Sequence, residues 1–189
     1  MLRESIEKFA MKIDLLPVAE LTEKDRASLG ALSSAVYPPD VVAAWPGRSI
    51  EWAARQWSAI AWNDDRTLVL GHVGVVTRKA RLKQRHVKIG GIGGVMTHPA
   101  FRKMGIAKTA INRCIELFRE QGDIDFALLV CEPGLISFYE RLGWQKFVGK
   151  LLVNQSGQTT VFTFNLPMIY PIRGPLEYDG VIDLLGPPW

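Results

Sequence analysis

The residues with the clearest chemical potential lie between Lys88 and Ala107, KIGGIGGVMTHPAFRKMGIA. The first part, Lys88 to Thr97, is rich in Gly, Ile and Val, which suits a buried strand that a ligand approaches very closely. The second part, Arg102-Lys103-Met104-Gly105-Ile106-Ala107, sets two cations and a glycine where an amphipathic helix begins. A helix start offers unpaired N–H groups and the positive end of the macrodipole, so phosphate binding is the chemistry these residue types can perform. Successive N–H groups from Lys103 to Ala107 converge on a pyrophosphate only where no β-carbon blocks the approach at Gly105. Two other phosphate signatures do not fit. Gly90, Gly91, Gly93 and Gly94 lie inside the strand with the wrong spacing for a dinucleotide fingerprint, and Gly105-Ile106-Ala107-Lys108-Thr109 lacks the adjacent Gly-Lys of a Walker loop. The plain alternative is a strand, turn and helix that carry surface cations.

The elements that position this segment follow from periodicity and punctuation. Met1 to Met11 is a polar lead-in or short helix, an extension of 11 residues within which Met11 offers a second start. Residues 12–189 then form one domain. Lys12 to Val18 alternates as a strand, and Thr22 caps a helix that places Asp25 in its first turn and runs to about Val36. Tyr37-Pro38-Pro39-Asp40 stops that helix, and the segment to Ile50 is irregular or briefly helical, the kind of loop that covers something. Gln56 to Trp62 and Thr67 to Thr77 read as strands joined at Asn63-Asp64-Asp65, and a turn around Lys79 to Arg85 leads into the Gly-rich strand. From Ile106 to Gln121 the residues Ala107, Ala110, Ile111, Cys114, Leu117 and Phe118 recur at helical spacing, with Gly122 as the stop. Cys114 on that face is core. Asp125 to Cys131 is a short apolar run, hence a buried strand joined by the helical crossover to the strand before it, and so parallel to it. Pro133 starts a second helix with Leu135, Phe138, Tyr139 and Leu142 inward and Gly143 at its end; Trp144 to Val153 and Gln158 to Leu166 form a last hairpin. The remainder, 167–189, reads as an irregular, proline-containing tail that ends on apolar Trp189.

Composition narrows the classes. At 189 residues the chain is long enough for one domain with a proper core, and 48% hydrophobic with 22% charged residues is ordinary for a soluble globular protein. No membrane span and no secretory leader is expected. Two cysteines, Cys114 and Cys131, make no metal-type spacing and suit a reducing cytoplasm, so no metal is implied. The net charge of +4 and pI near 9.2 come from two clusters of cations. The first, Arg78, Lys79, Arg81, Lys83, Arg85 and Lys88, reads as a solvated hairpin tip; the second, Arg102, Lys103, Lys108 and Arg113, serves one anionic ligand. Neither is interleaved with aromatics, so nucleic acid is not the expected partner.

Arg102-x-x-Gly105-x-Ala107, preceded by a strand and the His98-Pro99 turn, resembles the acyl-CoA pyrophosphate loop of the GNAT superfamily of N-acetyltransferases. Phe138-Tyr139 on a helix ending at Gly143-Trp144 resembles a second segment of that family. The resemblance implies a mixed α/β fold, with a mostly antiparallel central sheet, a splayed parallel pair of strands and flanking helices. It implies acetyl-CoA as donor, with Arg102, Lys103, Met104, Gly105, Ile106 and Ala107 on the pyrophosphate. The pantetheine arm would lie along the exposed edge of Val95, Met96 and Thr97. It carries over two catalytic roles: the Val95 N–H would hold the oxyanion, and Tyr139 would protonate the departing thiolate, a phenol of pKa ~10 serving a thiol of ~8.5.

The acceptor is less constrained. In strand order, in the Tyr139 segment, in Thr160-Val161-Phe162 leading to Leu166-Pro167 and in its final tryptophan, the chain also resembles the aminoglycoside 2′-N-acetyltransferase branch. That branch carries a glutamate where this chain has Gly93, so water, another carboxylate or an acceptor of lower pKa must deal with the amine proton. The candidate carboxylates are Asp40, Glu177, Asp179, Asp183 and the Trp189 terminus. Asp40, Asp183 and Trp189 are the expected acceptor-binding set, with an acidic tail countering an otherwise basic protein where a cationic amine docks. Three functions stay open: N-acetyl transfer to a small polar, aminoglycoside-like amine; transfer to a protein or peptide; and a non-catalytic acyl-CoA-binding domain. The oligomeric state is open too, a homodimer included.

Overall fold

The computed structural model describes residues 11–189, so the lead-in expected from Met1 falls outside the described residues except for Met11. In chain order the elements begin with strand β1 (Lys12–Pro17), helices α1 (Glu23–Val36) and α2 (Pro39–Ala44), and strands β2 (Trp57–Trp62), β3 (Val69–Leu82) and β4 (Arg85–Thr97). Helix α3 (Ile106–Gln121), strand β5 (Phe126–Cys131) and helix α4 (Ile136–Glu140) follow, then β6 (Gln145–Lys146), β7 (Val148–Gln155), β8 (Gln158–Val161), β9 (Leu166–Pro171) and β10 (Asp179–Asp183). The strands form one curled sheet in the order β6-β9-β5-β4-β3-β10-β7-β8, with β2 also on β3 and β1 on β2. Pairing is mostly antiparallel, and β4 with β5 is parallel as the crossover requires.

Local chemistry explains the elements around the site. Thr22 and Asp25 close a capping box at the start of α1: the hydroxyl accepts the Asp25 N–H at 3.2 Å and the carboxylate accepts the Thr22 N–H at 2.9 Å. Helix α3 buries Ala110, Ile111, Cys114, Leu117 and Phe118 in one stripe and stops at Gly122 in the left-handed region. Alternation along β2 and β5 assigns the faces: Ala59, Ala127 and Leu129 pack with α3, whereas Ile60 and Trp62 pack with Leu29 and Leu32 of α1, and Leu128 packs with Trp189. Helix α1 and the tail therefore share the face opposite α3. The loop after α2 does cover something, since Trp45 and Trp52 stack at 5.8 Å and meet Phe164 edge-on.

Five sequence expectations need correction. The turn before the Gly-rich strand is not spread over Lys79 to Arg85; the β3–β4 ladder continues through Lys79↔Lys88 and Leu82↔Arg85. Ala80 and Leu82 point inward while Lys79 and Arg81 point out, a strand alternation hidden by the density of charge. Arg78 belongs to no solvated tip, for its guanidinium sits 5.5 Å over the Trp189 ring and donates to the Pro187 carbonyl at 2.7 Å. The last hairpin is shorter than expected: β7 pairs β8 across Ser156-Gly157, and Leu166 opens a separate strand on β5. The segment 167–189 is not irregular, because it holds most of β9 and all of β10, whose Ile182 is fully buried and which fills the gap between β3 and β7. A second parallel pair, β7 with β10, results. On the second helix Leu135 lies outside, 46% exposed, because a 3-10 turn over Pro133–Leu135 precedes α4.

Candidate active site

Strands β4 and β5 pair only from Ile89↔Phe126 to Ile92↔Leu129, yet β4 continues to Thr97 and β5 to Cys131. Past that point β5 keeps its other edge on β9, so Gly93 to Thr97 present a sheet edge that, among the described residues, faces no strand on the β5 side. A register shift between His72 and Gly74 bends β4 away, with Gly94 at φ 55° on the opposing strand. His72, 1% exposed, holds this bulge. Its Nδ1 lies 3.0 Å from the Gly94 carbonyl, which only accepts, so Nδ1 carries the proton. Nε2, at 3.2 Å from Ser58 Oγ, then accepts the hydroxyl proton, and Ser58 Oγ takes the Arg55 Nε–H at 3.1 Å. Burial pulls the imidazole pKa from 6.5 down to about 4, against the pull of the Gly94 carbonyl and assisted by the charge of Arg55.

That shift has a measurable consequence. The unfolded chain takes up this proton near pH 6.5 and the folded protein only near pH 4, so the contribution is fully present above pH 6.5 and is lost as pH falls toward 4. At ~1.36 kcal/mol per pH unit the loss amounts to about 3 kcal/mol. Chemical denaturation between pH 7 and pH 4 should show His72→Gln losing less stability than wild type across that window. Parallel curves would remove His72 as the cause.

At the end of β4 a 3-10 turn over Pro99–Phe101 is held by His98, whose Nδ1 accepts the Ala100 N–H at 3.3 Å, a structural role. Lys103 follows at φ 67°, and Gly105 sits in the left-handed region at φ 81° directly before α3. No side chain caps α3 there, and its first backbone bond runs from the Thr109 N–H to the Gly105 carbonyl at 3.0 Å. The N–H groups of Ile106, Ala107 and Lys108 therefore precede the helical ladder. Space beside Gly105 is open: among the described residues none but its chain neighbours comes within 4 Å of a β-carbon added there, while Arg102, Lys103 and Met104 are exposed around it. The loop and the free β4 edge form one continuous run fit for an extended ligand with an anionic end.

Tyr139 is 4% exposed and packs edge-on against Phe138 and Trp144 at 5.0 and 6.2 Å. Burial foremost, then the nearby Cys131 and Tyr37, raises its pKa well above the ordinary phenol range. In sequence Tyr37 reads only as a helix stop. Its phenol feels both Glu132 and Arg102 and helps to raise the pKa of Tyr139. Tyr37 thus belongs to the surroundings of the β4–β5 opening, and the Pro-Pro turn after it was the available signal.

The expected acceptor residues do not gather. Asp40 lies exposed in the first turn of α2. Asp183 pairs across β10 with Arg81, roughly 30 Å along β3 from His72 at ~3.3 Å per residue, and accepts the Leu185 N–H at 3.0 Å. Glu177 and Asp179 are engaged by Lys83 at 2.5 and 3.3 Å. Trp189 does reach the site: its indole lies over Gly91, with Nε1 donating to the Leu128 carbonyl at 3.2 Å. Its carbonyl carbon stands 2.8 Å from where a β-carbon of residue 93 would be. The close approach that the glycines of β4 signalled is made here by the chain's own tail.

On the α1 face beside the bulge lies a cleft of about 350 Å³, lined by Arg26, Gly30 and Ser33 of α1, by Arg55, and by His72 and Met96 of the sheet. No helix among the described residues is long and apolar enough to cross a membrane.

A strand edge freed by a splayed parallel pair, ending at an uncapped glycine-led helix, defines an acyl-CoA N-acyltransferase architecture. Comparison with known proteins agrees: the acetyltransferase (GNAT) family model matches residues 26–144, and the chain belongs to that family. Serotonin N-acetyltransferase of Mesocricetus auratus is 28% identical over 94 residues, covering 46% of this chain and 45% of that protein. The chain spans less than half the length of the curated relatives it matches. Among solved structures, the GNAT family N-acetyltransferase YhbS of Escherichia coli in complex with CoA superposes with a TM-score of 0.61 at 14% identity, over 93% of this chain and 90% of that one. A GNAT family acetyltransferase of Brucella melitensis in complex with acetyl-CoA superposes with a TM-score of 0.55 at 17% identity, over 90% and 94%.

Proposed function

We propose that the protein transfers an acetyl group from acetyl-CoA directly to the primary amine of a small polar acceptor. The observation that carries this reading is the loss of β4–β5 pairing after Ile92 together with the uncapped start of α3. The donor would lie along Val95, Met96 and Thr97, with its pyrophosphate on Arg102 to Ala107. The amine nitrogen attacks the thioester carbon, the Val95 N–H holds the oxyanion that develops, and the C–S bond breaks as the Tyr139 phenol donates to the departing sulfur. The proton lost by the amine leaves through water. Both cysteines are free and buried, which suits the cytoplasm. An aminoglycoside-like polyamine is one candidate acceptor of this kind.

Thiol release from acetyl-CoA, followed with a panel of amines, aminoglycosides and peptides, tests the reading. Acceptor-dependent release is expected with small amines. Release with peptides alone would move the function to protein acetylation, and none with any acceptor would leave an acyl-CoA-binding domain. Gly105→Asp should weaken acetyl-CoA binding about tenfold or more by calorimetry, since it puts a side chain and a negative charge at φ 81° beside the proposed pyrophosphate site. Unchanged affinity in a folded variant would move the donor elsewhere.

A further inference from the structure

We propose that the acceptor amine carries an anionic group, a carboxylate or a phosphate ester, and that Arg26 and Arg55 bind it in the cleft between α1 and the β3–β4 floor. This rests on acetyl transfer at the β4 edge and adds the class of acceptor.

The cleft belongs to that edge. Met96 lines it, and His72, also in its wall, bonds the carbonyl of Gly94, the residue before Val95. A molecule filling the cleft would meet Met96 of β4 and both arginine side chains. At about 350 Å³ the space suits an amino acid or a sugar phosphate.

The charge in the cleft is of one sign. Neither Arg26 nor Arg55 forms an ion pair among the described residues. Among the described residues each guanidinium makes one hydrogen bond: Arg26 Nη2 to the Val18 carbonyl at 2.8 Å, and Arg55 Nε to Ser58 Oγ at 3.1 Å. A guanidinium has five N–H donors, so both keep donors for a ligand in a fork that matches carboxylate or phosphate oxygens. The Arg55 stem lies over Gly74, its Cδ 3.3 Å from where a β-carbon there would stand. Burial and the like charge of Arg26 both lower the Arg55 pKa, so an anion between them relieves a penalty already present. His72 adds no negative charge, both its ring nitrogens being committed to Gly94 and Ser58. Of the tail's acids, Asp183 stands opposite Arg81 and Glu177 and Asp179 are taken by Lys83, all toward the far end of β3, while Trp189, whose main chain stands at Gly93, does not line the cleft. A polycation would meet two charges of its own sign here.

The test uses pairs that differ by one anion: phenylalanine against phenethylamine, and glucosamine 6-phosphate against glucosamine. Each is titrated calorimetrically into the protein saturated with CoA, and each is assayed for thiol release with acetyl-CoA. The anionic member of at least one pair should bind tenfold or more tightly than its partner, and Arg55→Gln and Arg26→Gln should each cut that preference severalfold, the double variant abolishing it. Equal binding within both pairs, absence of binding by all four, or a preference that survives the double variant overturns the proposal. Binding is read without turnover, so a preference for the anion in the absence of any thiol release would count against acetyl transfer and leave the anion site standing.

Discussion

Replacing Tyr139 with phenylalanine should leave the fold intact and slow acetyl transfer about 100-fold or more. The ring contacts with Phe138 and Trp144 are retained by phenylalanine, and the hydroxyl has no hydrogen-bond partner among the described residues, so its removal breaks no internal bond. The lone hydroxyl is what a ligand would engage. Because burial raises its pKa, the phenol stays protonated across the neutral range. Complete proton transfer to a thiolate of pKa ~8.5 is then uphill, so the donated hydrogen bond counts most while charge develops on sulfur, which lowers kcat rather than raising KM. Steady-state kinetics with an amine acceptor, alongside a melting curve, make the measurement. Turnover within about twofold of wild type would return Tyr139 to a packing role.

The elements whose signals are local were legible. Thr22 and Asp25, the stripe on α3, Gly122, and the apolar run of β5 each act within a few residues, and the parallel β4–β5 pair follows from the crossover helix between them. Pairings made at long range were not legible. Strand β10 forms because β3 and β7 leave a slot that Ile182 fills, and nothing near residue 182 announces two neighbours so distant in sequence. The donor loop could be read from Arg102 to Ala107 because backbone conformation and charge are encoded there. The cleft could not, because Arg26, Arg55, His72 and Met96 come from a helix, a loop and two strands and look individually like surface cations, a core histidine and a core methionine.

The same contrast bears on Gly93. In sequence, a glycine where a related branch has glutamate reads as a missing base. In the structure it is the only residue that fits, since a β-carbon would press on the Trp189 carbonyl carbon at 2.8 Å. Restoring an acidic side chain at 93 therefore cannot be separated from displacing the tail.

Trp189→Ala should lower stability by about 3–5 kcal/mol, the range for truncating a large buried aromatic. The indole is 8% exposed, fills the space over Gly91, donates to the Leu128 carbonyl and carries the Arg78 guanidinium on its face. Its neighbours cannot close the gap, because the adjoining residues are tied down separately: Pro187 by Arg78 and Pro188 by the Ala53 N–H at 2.6 Å. For a domain of this length the loss corresponds to a fall in Tm of roughly 10 °C. Kinetics below that temperature separate two roles. If the indole acts only through the core, kcat/KM for donor and acceptor should fall together as β4 loosens. If the contact of residue 189 with Gly93 shapes the acceptor side, KM for the amine should rise while acetyl-CoA affinity holds, the proposed pyrophosphate contacts of Arg102 to Ala107 lying beyond the end of β4. The contact with Gly93 makes the second result the expected one, superimposed on the stability loss. An unchanged Tm would show that the core does not need Trp189, and equal losses for both substrates would confine it to packing.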